Sequence, residues 1–255
     1  MEKEKEKVKL TNKLRSFVIV SGVIAVFAIT VVSWLYYRTA GRVQIQFDIH
    51  QNQELIRLST YSEPPQFAIW LENTDTHKLM TVFVTRRISV GDWEGKTNVP
   101  DALPRWFELF RGKNKSHNVI IDDKYDAVTG ATPKENYFSI RAEVNPGSRW
   151  ICFIEMNLAG DYNDAFPPID LQSLKEDEFA CGQPALLYKA TITAIEGMQY
   201  TPELFGQSIW EDGENWIEPI DERITTAKNV FDTIQISIIR PKPKLIDKNK
   251  LTYNY

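Results

Sequence analysis

The stretch Val43-Gln44-Ile45-Gln46-Phe47-Asp48-Ile49-His50 decides the fold, because apolar and polar residues alternate along its whole length. A period of two places the apolar side chains on one face of a β-strand and the polar side chains on the other. The stretch therefore predicts a strand with one face in a core and the other in water.

Six further segments carry apolar residues at every second position: 67–71, 80–84, 138–144, 150–156, 186–194 and 234–238. Asn145-Pro146-Gly147 is a tight-turn signal and predicts a hairpin between two of these strands. Strands and helices do not alternate regularly, which argues against a parallel doubly wound sheet. The sequence predicts a mostly β protein, an immunoglobulin-like antiparallel β-sandwich.

The remaining parts of the exported chain are less regular. Trp106, Phe107 and Phe110 have helical spacing and predict a short helix over residues 102–110, with Asp101 as its cap and Pro104 in its first turn. Two long stretches, 157–182 and 197–228, are predicted to be irregular, and loops of this length often carry function.

Residues 17–37 form a run of 21 residues without a charged side chain, which ends in Trp34, Tyr36 and Tyr37. About 20 apolar residues in a helix cross a bilayer, and aromatic rings are typical of its interface. The alternative is a cleaved signal peptide, whose apolar region is shorter and precedes a small-residue cleavage site. The sequence favours an uncleaved transmembrane signal anchor over residues 16–38.

The distribution of charge predicts the orientation of that helix. Six of the first 15 residues are basic, whereas only Arg38 and Arg42 follow soon after the helix. The positive-inside rule then predicts a cytoplasmic tail at 1–15, an extracytoplasmic β-sandwich domain at 39–240 and a polar tail at 241–255. The chain carries 30 basic and 34 acidic residues. An acidic exported body argues against binding to nucleic acid, which needs a basic surface.

Cys152 and Cys181 are the two cysteines, and both lie in the predicted exported part. An oxidising compartment permits a disulfide between them, while two buried thiols are the alternative. The acidic loop Asp161-Tyr162-Asn163-Asp164, with Asp170 beyond it, offers oxygen ligands of the kind that calcium uses, although solvated loop charge is the favoured interpretation. The sequence predicts no metal site and no catalytic residues.

The segment Asp126-Ala127-Val128-Thr129-Gly130-Ala131-Thr132 combines a carboxylate, two hydroxyls and a glycine between two predicted strands. This segment belongs to an ordered set of motifs that resembles an uncharacterised bacterial periplasmic family, the domain of unknown function numbered 2271. The other motifs are Phe67-Ala68-Ile69-Trp70-Leu71-Glu72, Ala102-Leu103-Pro104-Arg105-Trp106, Ile154-Glu155-Met156-Asn157 and Gly182-Gln183-Pro184-Ala185-Leu186-Leu187-Tyr188. The resemblance covers roughly residues 40–240. It implies a small extracytoplasmic β domain, often found beside flavin and membrane-reductase components, and no established activity.

The same central segment also resembles the Asp-x-x-Ser/Thr-Gly-Ala-Thr segment of flavin-bearing subunits of membrane redox complexes. There a flavin transferase attaches FMN through its phosphate to the final threonine. The resemblance implies cofactor-binding roles for Asp126, Thr129, Gly130, Ala131 and Thr132, with Thr132 as the acceptor. Pro133-Lys134-Glu135-Asn136 follows here, whereas those subunits usually continue with further Thr and Ser. Ordinary turn chemistry, with Asp126 and Thr129 bonded to the backbone, is the alternative.

Two functions follow as expectations. The first is a membrane-anchored accessory protein that carries FMN and transfers electrons beside a membrane reductase. The second is a non-redox structural or binding module of an envelope complex. In both, the partners are the lipid bilayer and another membrane or envelope protein, and the chain is not expected to be an enzyme by itself.

Overall fold

The fold is described from a computed structural model of the chain. The described residues are 2–39, 41–90, 92–93, 96–97, 102–110, 120–121, 128–130, 133, 135–172, 174–177, 179–211 and 213–241. The chain divides into two units, one of Met1–Arg42 with Pro241–Tyr255 and the other of Val43–Arg240.

The first unit contains the long helix α1 (Glu2–Thr39). Within it, Arg15–Tyr37 has a mean hydropathy of 2.5 over a length sufficient to cross a membrane. Its apolar side chains are exposed rather than packed in a core, with Phe17 and Phe27 each 70% accessible. The prediction of one N-terminal apolar helix is therefore confirmed, and its length and composition suit a single-pass anchor.

The second unit is built mostly of strands. The strands are β1 (Val43–Gln51), β2 (Gln66–Asn73), β3 (Lys78–Thr85), β4 (Asp92–Trp93), β5 (Lys96–Thr97), β6 (Ile120–Ile121), β7 (Val128–Gly130), β8 (Tyr137–Val144), β9 (Arg149–Asn157), β10 (Ile169–Asp170), β11 (Lys175–Glu176), β12 (Ala185–Thr193), β13 (Gln199–Tyr200), β14 (Glu203–Glu211), β15 (Glu214–Glu218) and β16 (Phe231–Ile239). The helices are α2 (Gln53–Leu58), α3 (Arg86–Val90), α4 (Pro104–Phe110) and a 3-10 turn at Thr226–Asn229.

Two larger sheets organise these strands. One is antiparallel, in the order β13-β16-β1-β8. The other has the order β15-β14-β12-β9-β2-β3-β6, and β7 also pairs with β3. Its pairs are antiparallel except for β6 and β7, which run parallel to β3. The prediction of a mostly β protein built on antiparallel sheets is confirmed.

The inner faces of the two sheets share one apolar core. The alternation along β1 buries Val43, Ile45, Phe47 and Ile49, as predicted. Phe67 of β2 joins the sheets, because its ring lies 5.1 Å from that of Phe138 in β8 and 5.3 Å from that of Phe231 in β16. Edge-to-face packing of this kind adds to the stabilisation from buried area.

The predicted hairpin at Asn145-Pro146-Gly147 is wrong in its pairing. β8 pairs with β1, whereas β9 pairs with β2 and β12, so the turn connects the two sheets. The turn itself forms, with Gly147 at a φ of 73° and its N–H donating to the carbonyl of Ala194 at 2.9 Å. A turn signal specifies a chain reversal, but it does not specify which strands pair after it.

The stretch 197–228 was expected to be irregular, and the structure corrects this as well. It contains β13 and the hairpin β14–β15, which forms an edge of the larger sheet. The alternation is hidden because Gly206, Gln207 and Ser208 are buried in succession. The pairing of β12 with β14 also shifts register between Leu187 and Tyr188, which breaks the period of two.

Candidate functional site

Helix α4 covers part of the outer face of the larger sheet. Leu103 and Trp106 are buried in a second apolar cluster with Trp70 and Leu187 of the sheet. The indole N–H of Trp106 donates to the hydroxyl of Thr81 at 3.2 Å. The predicted short helix is confirmed over Pro104–Phe110, and its predicted cap, Asp101, lies outside the described residues. The apolar side of the helix packs on the sheet face that does not meet the shared core.

A buried carboxylate fixes this helix to the sheet. Glu155 of β9 is fully buried and accepts hydrogen bonds from the backbone N–H groups of Arg105 at 2.9 Å and Trp106 at 2.7 Å. These are first-turn donors that lack partners within the helix. Burial raises the pKa of Glu155 to about 7, although the backbone hydrogen bonds and Ser208 oppose the rise.

Beside α4, the sheet carries a cleft of about 470 Å³. Three aromatic and four aliphatic side chains make most of its wall, and three polar side chains complete it: Trp70, Phe153, Phe205, Leu79, Leu109, Leu187, Ile217, Glu72, His77 and Arg105. Binding pockets for small molecules commonly have volumes of about 300–1,000 Å³, with apolar walls and a few polar groups. In size and composition, the cleft suits a small ligand with an apolar body.

The aromatic rings of the cleft hold one another in place. Trp70 and Phe153 are stacked with ring centroids 5.2 Å apart and planes 14° from parallel. Phe153 and Phe205 lie 6.3 Å apart at 60°. Trp70 is 1% exposed, so it supports the ring of Phe153 from within the fold and leaves Phe153 and Phe205 as the rings that face the cleft. A ligand ring would therefore meet a largely pre-formed wall.

Several charged side chains lie near the cleft, and two of them, Arg105 and Glu72, each have a close partner. Arg105 of α4 pairs with Glu108 at 2.7 Å. Glu72 of β2 lies 3.1 Å from the Nδ1 atom of His77, an ion pair when the imidazole is protonated. Lys189 of β12 is not a lining residue, but its ammonium lies 5.9 Å and 5.7 Å from the ring centroids of Phe153 and Phe205.

Most of the predicted flavin-attachment segment lies outside the described residues, including Asp126, Ala131 and Thr132. The backbone of Thr129 and Gly130 lies in β7, where they pair with Val84 and Thr85 of β3. These two residues therefore continue a sheet rather than form a turn. At about 3.3 Å per residue, they are well separated along β3 from Leu79, which lines the cleft.

The acidic loop considered for calcium has a structural role at its first residue. Asp161 is buried, and burial raises its pKa to about 6, an effect that the neighbouring Thr226, Gln183 and Ala227 partly offset. Asn163 donates to the carbonyl of Arg223 at 3.0 Å. Within the described parts of the chain, no three His, Cys, Asp or Glu side chains gather as metal ligands do.

The two cysteines are not bonded to each other, so the disulfide considered from the sequence is not formed. Cys152 belongs to the core between the sheets, whereas Cys181 packs against the cluster on the outer face. The two side chains therefore pack on opposite faces of the larger sheet. Burial raises the pKa of the Cys152 thiol, which keeps it protonated and unreactive.

Sequence reasoning missed the cleft and Glu155. A signal for the cleft was present, because Phe67-Ala68-Ile69-Trp70-Leu71 is apolar without a break. Continuous apolar runs indicate strands that are covered on both faces. No pattern in the neighbouring sequence indicated that Glu155 is buried. The residues on either side of it face the core, and its hydrogen-bond partners lie 49 and 50 residues away in the sequence.

Comparisons of the chain with protein-family models, curated proteins and solved structures found no match. The two resemblances given above therefore remain predictions.

Proposed function

We propose that this protein is a membrane-anchored, extracytoplasmic binding module that holds a small ligand with an apolar ring in the cleft on its larger sheet. The observation that supports this most is the apolar cleft of about 470 Å³, whose lining includes Phe153 and Phe205 with Trp70 packed beneath them. The module is not an enzyme by itself in this proposal. It presents its ligand to another membrane or envelope protein, or withholds the ligand from that protein.

Rigid placement of the wall supports a binding role. Because Glu155 ties the first turn of α4 to the sheet, Arg105 and Leu109 are held at the cleft without a ligand. A pre-formed site avoids much of the entropy cost of ordering side chains on binding. The aromatic walls supply the apolar contact that a planar ring needs.

The membrane part of the proposal rests on the first unit. Arg15–Tyr37 suits a single membrane span, and the excess of basic residues before it favours an N-terminus in the cytoplasm. The body then lies in the periplasm or outside the cell. An immunoglobulin-like form of the sandwich belongs to the same proposal, supported by two sheets that share one apolar core.

Titration calorimetry with the full chain in lipid nanodiscs tests the binding role. The probe is 2-naphthamide, a neutral ring compound, and empty nanodiscs are the blank. We expect saturable binding to the wild type and its loss in Ile217→Trp, which fills the mouth of the cleft. Ile195→Trp is the matched control, because Ile195 is a comparably exposed isoleucine that does not line the cleft. Equal binding by both variants would contradict the proposal.

A second candidate function is electron transfer by FMN carried on Thr132. The position of β7 favours it, because among the described strands β7 pairs only with β3 and so lies at an edge of the larger sheet. Ala131 and Thr132 follow β7 in the sequence and lie outside the described residues. When bound, FMN would supply one- and two-electron chemistry, while the chain would hold it beside a membrane reductase.

In-gel flavin fluorescence tests this second function. The full chain is made together with an extracytoplasmic flavin transferase and FAD, which donates FMN and releases AMP. The flavin function predicts a fluorescent band on a denaturing gel that is lost in Thr132→Ala and kept in Thr129→Ser. A well-folded chain without flavin under these conditions would exclude it.

A further inference from the structure

Lys189 places a positive charge beside the cleft. Its ammonium lies within 6 Å of two of the three aromatic rings in the wall, Phe153 and Phe205. It reaches this place because Lys189 is directly opposite Phe153 across the pair β9–β12, on the outer face of the sheet. Ring faces attract a cation, and the aliphatic stem of the lysine packs along them.

Two other charged side chains line the cleft, and each has a close partner. Arg105 pairs with Glu108, and Glu72 lies 3.1 Å from the Nδ1 atom of His77. Lys189 is different, because in the described part of the chain no carboxylate forms an ion pair with it. Its cross-strand neighbour in β14 is Glu203, which is exposed and does not pair with it.

We infer that the ligand of the cleft is an anion with an apolar ring, such as an aromatic carboxylate, and that Lys189 selects it. This inference rests on the proposed binding function. The ring would lie against Phe153 and Phe205, and the anionic group would lie at the rim near the ammonium. The lysine stem has four rotatable carbons, so the ammonium can turn from the ring faces to a carboxylate without backbone movement.

Attraction between Lys189 and the anion is stronger than in bulk water, because aromatic walls lower the local dielectric on one side. A neutral ligand of the same shape would gain the apolar contact but not this attraction. A cationic ligand would meet repulsion from Lys189 instead. The three charge types therefore bind in the order anion, neutral compound, cation.

Three probes of one shape test this order: 2-naphthoate, 2-naphthamide and 2-naphthylmethylammonium. Each is titrated by calorimetry into the full chain in nanodiscs of uncharged lipid, with empty nanodiscs as the blank. We expect 2-naphthoate to bind about fivefold more tightly than 2-naphthamide, as for one partly exposed ion pair. Higher salt should reduce this ratio, since the attraction is between charges.

Four variants make the test specific. Lys189→Met keeps the apolar stem but removes the charge. This variant should bind 2-naphthamide as tightly as the wild type does, and it should bind 2-naphthoate no more tightly than 2-naphthamide. Lys189→Arg should retain the preference. Glu203→Gln and Glu72→Gln should each raise the affinity for 2-naphthoate, because each removes a negative charge near the cleft.

The outcomes separate this inference from the proposed function. Binding of all three probes with equal affinity, or a preference that persists in Lys189→Met, overturns the inference while leaving the cleft as a binding site. Tighter binding of the cation also overturns it. Absence of binding by every probe overturns the proposed function and, with it, this inference.

Discussion

The carboxylate of Glu155 accepts a hydrogen bond from the backbone N–H of Trp106 at 2.7 Å, inside the protein and away from water. This bond joins β9 of the larger sheet to the first turn of α4. Since α4 contributes Arg105 and Leu109 to the cleft, the bond also holds one side of the cleft in place. A buried group whose pKa is raised to about 7 therefore supports the candidate site.

Glu155 should make the stability of the protein depend on pH. Its pKa is about 7 in the folded chain against an ordinary value of 4.5, so the folded state binds more protons between these values. The free energy of unfolding therefore decreases as pH rises from about 4.5 to about 7, by roughly 3 kcal/mol from this group. We expect Tm, followed by near-ultraviolet circular dichroism, to fall by about 5–10 °C over this range.

Glu155→Gln isolates this contribution, because the amide does not titrate. Asp161 has a raised pKa of the same sign, so the variant should keep part of the pH dependence and lose the rest. Asp161→Asn is the matched control, which should lose the pH dependence that Asp161 contributes and keep the pH dependence that Glu155 contributes. An unchanged slope of Tm against pH in Glu155→Gln would show that the carboxylate does not titrate as described.

Two glycines with similar backbone conformations should differ in their tolerance of alanine. Gly182 and Gly147 have φ values of 68° and 73°. A Cβ at Gly182 would lie 2.7 Å from the carbonyl oxygen of Asp161, whereas a Cβ at Gly147 would meet nothing within 4 Å. Gly147→Ala should cost about 1 kcal/mol from the positive φ alone, and Gly182→Ala several times more.

Thermal denaturation of the full chain in mild detergent measures this difference. About 2–4 °C of Tm is expected for Gly147→Ala, following the usual relation for a body of this size. Gly182→Ala should lower Tm clearly further, since backbone must move to admit the methyl group. Equal effects of the two substitutions would mean that the close approach of Asp161 to Gly182 is not present.

The two cysteines should behave as thiols even in an oxidising compartment. In denaturant without reductant, a thiol reagent should label both Cys152 and Cys181, because the sheet keeps them apart. In the native protein, Cys152 should stay unlabelled, as it is 1% exposed and burial raises its pKa. Mass spectrometry of peptides reads out both results. A disulfide-linked peptide pair would contradict the separation of the two side chains.

The orientation of the helix can be tested in intact cells. Six basic residues precede the apolar segment, so an epitope tag at the N-terminus should be protected from external protease while the body is digested. Permeabilised cells are the control, in which the tag should be lost. Removal of the tag in intact cells would reverse the proposed topology.

The sequence predicted the elements of the fold well where a strand has one wet face. β1 shows this, because Gln44, Gln46 and Asp48 alternate with buried residues and mark the period. Prediction failed where pairing depends on the whole fold. β8 and β9 follow one another through a tight turn, yet β8 pairs with β1 in one sheet and β9 pairs with β2 in the other. The apolar face of each strand still lies in the shared core, because the two sheets cover that core from opposite sides.

The candidate site was less predictable than the fold. Glu155 lies between Ile154 and Met156 in an alternating strand, a pattern that usually indicates a carboxylate facing water. Glu155 is buried because α4 packs over this face of the sheet. The cleft likewise gathers Trp70, Phe153 and Phe205 from three strands that are far apart in sequence. No short sequence motif predicts that these three residues meet, because their proximity depends on the order of the strands and on the helix that covers them.

Photoaffinity labelling tests the central claim, binding of a ring ligand in the cleft, most directly. The full chain in nanodiscs is irradiated with a benzoate that carries an aryl trifluoromethyl diazirine, and labelled peptides are mapped by mass spectrometry. We expect label on cleft residues that a ligand can reach, such as Leu109 or Ile217. We also expect loss of that label with excess 2-naphthoate. Label that lies elsewhere on the body, or that 2-naphthoate does not displace, would contradict the claim.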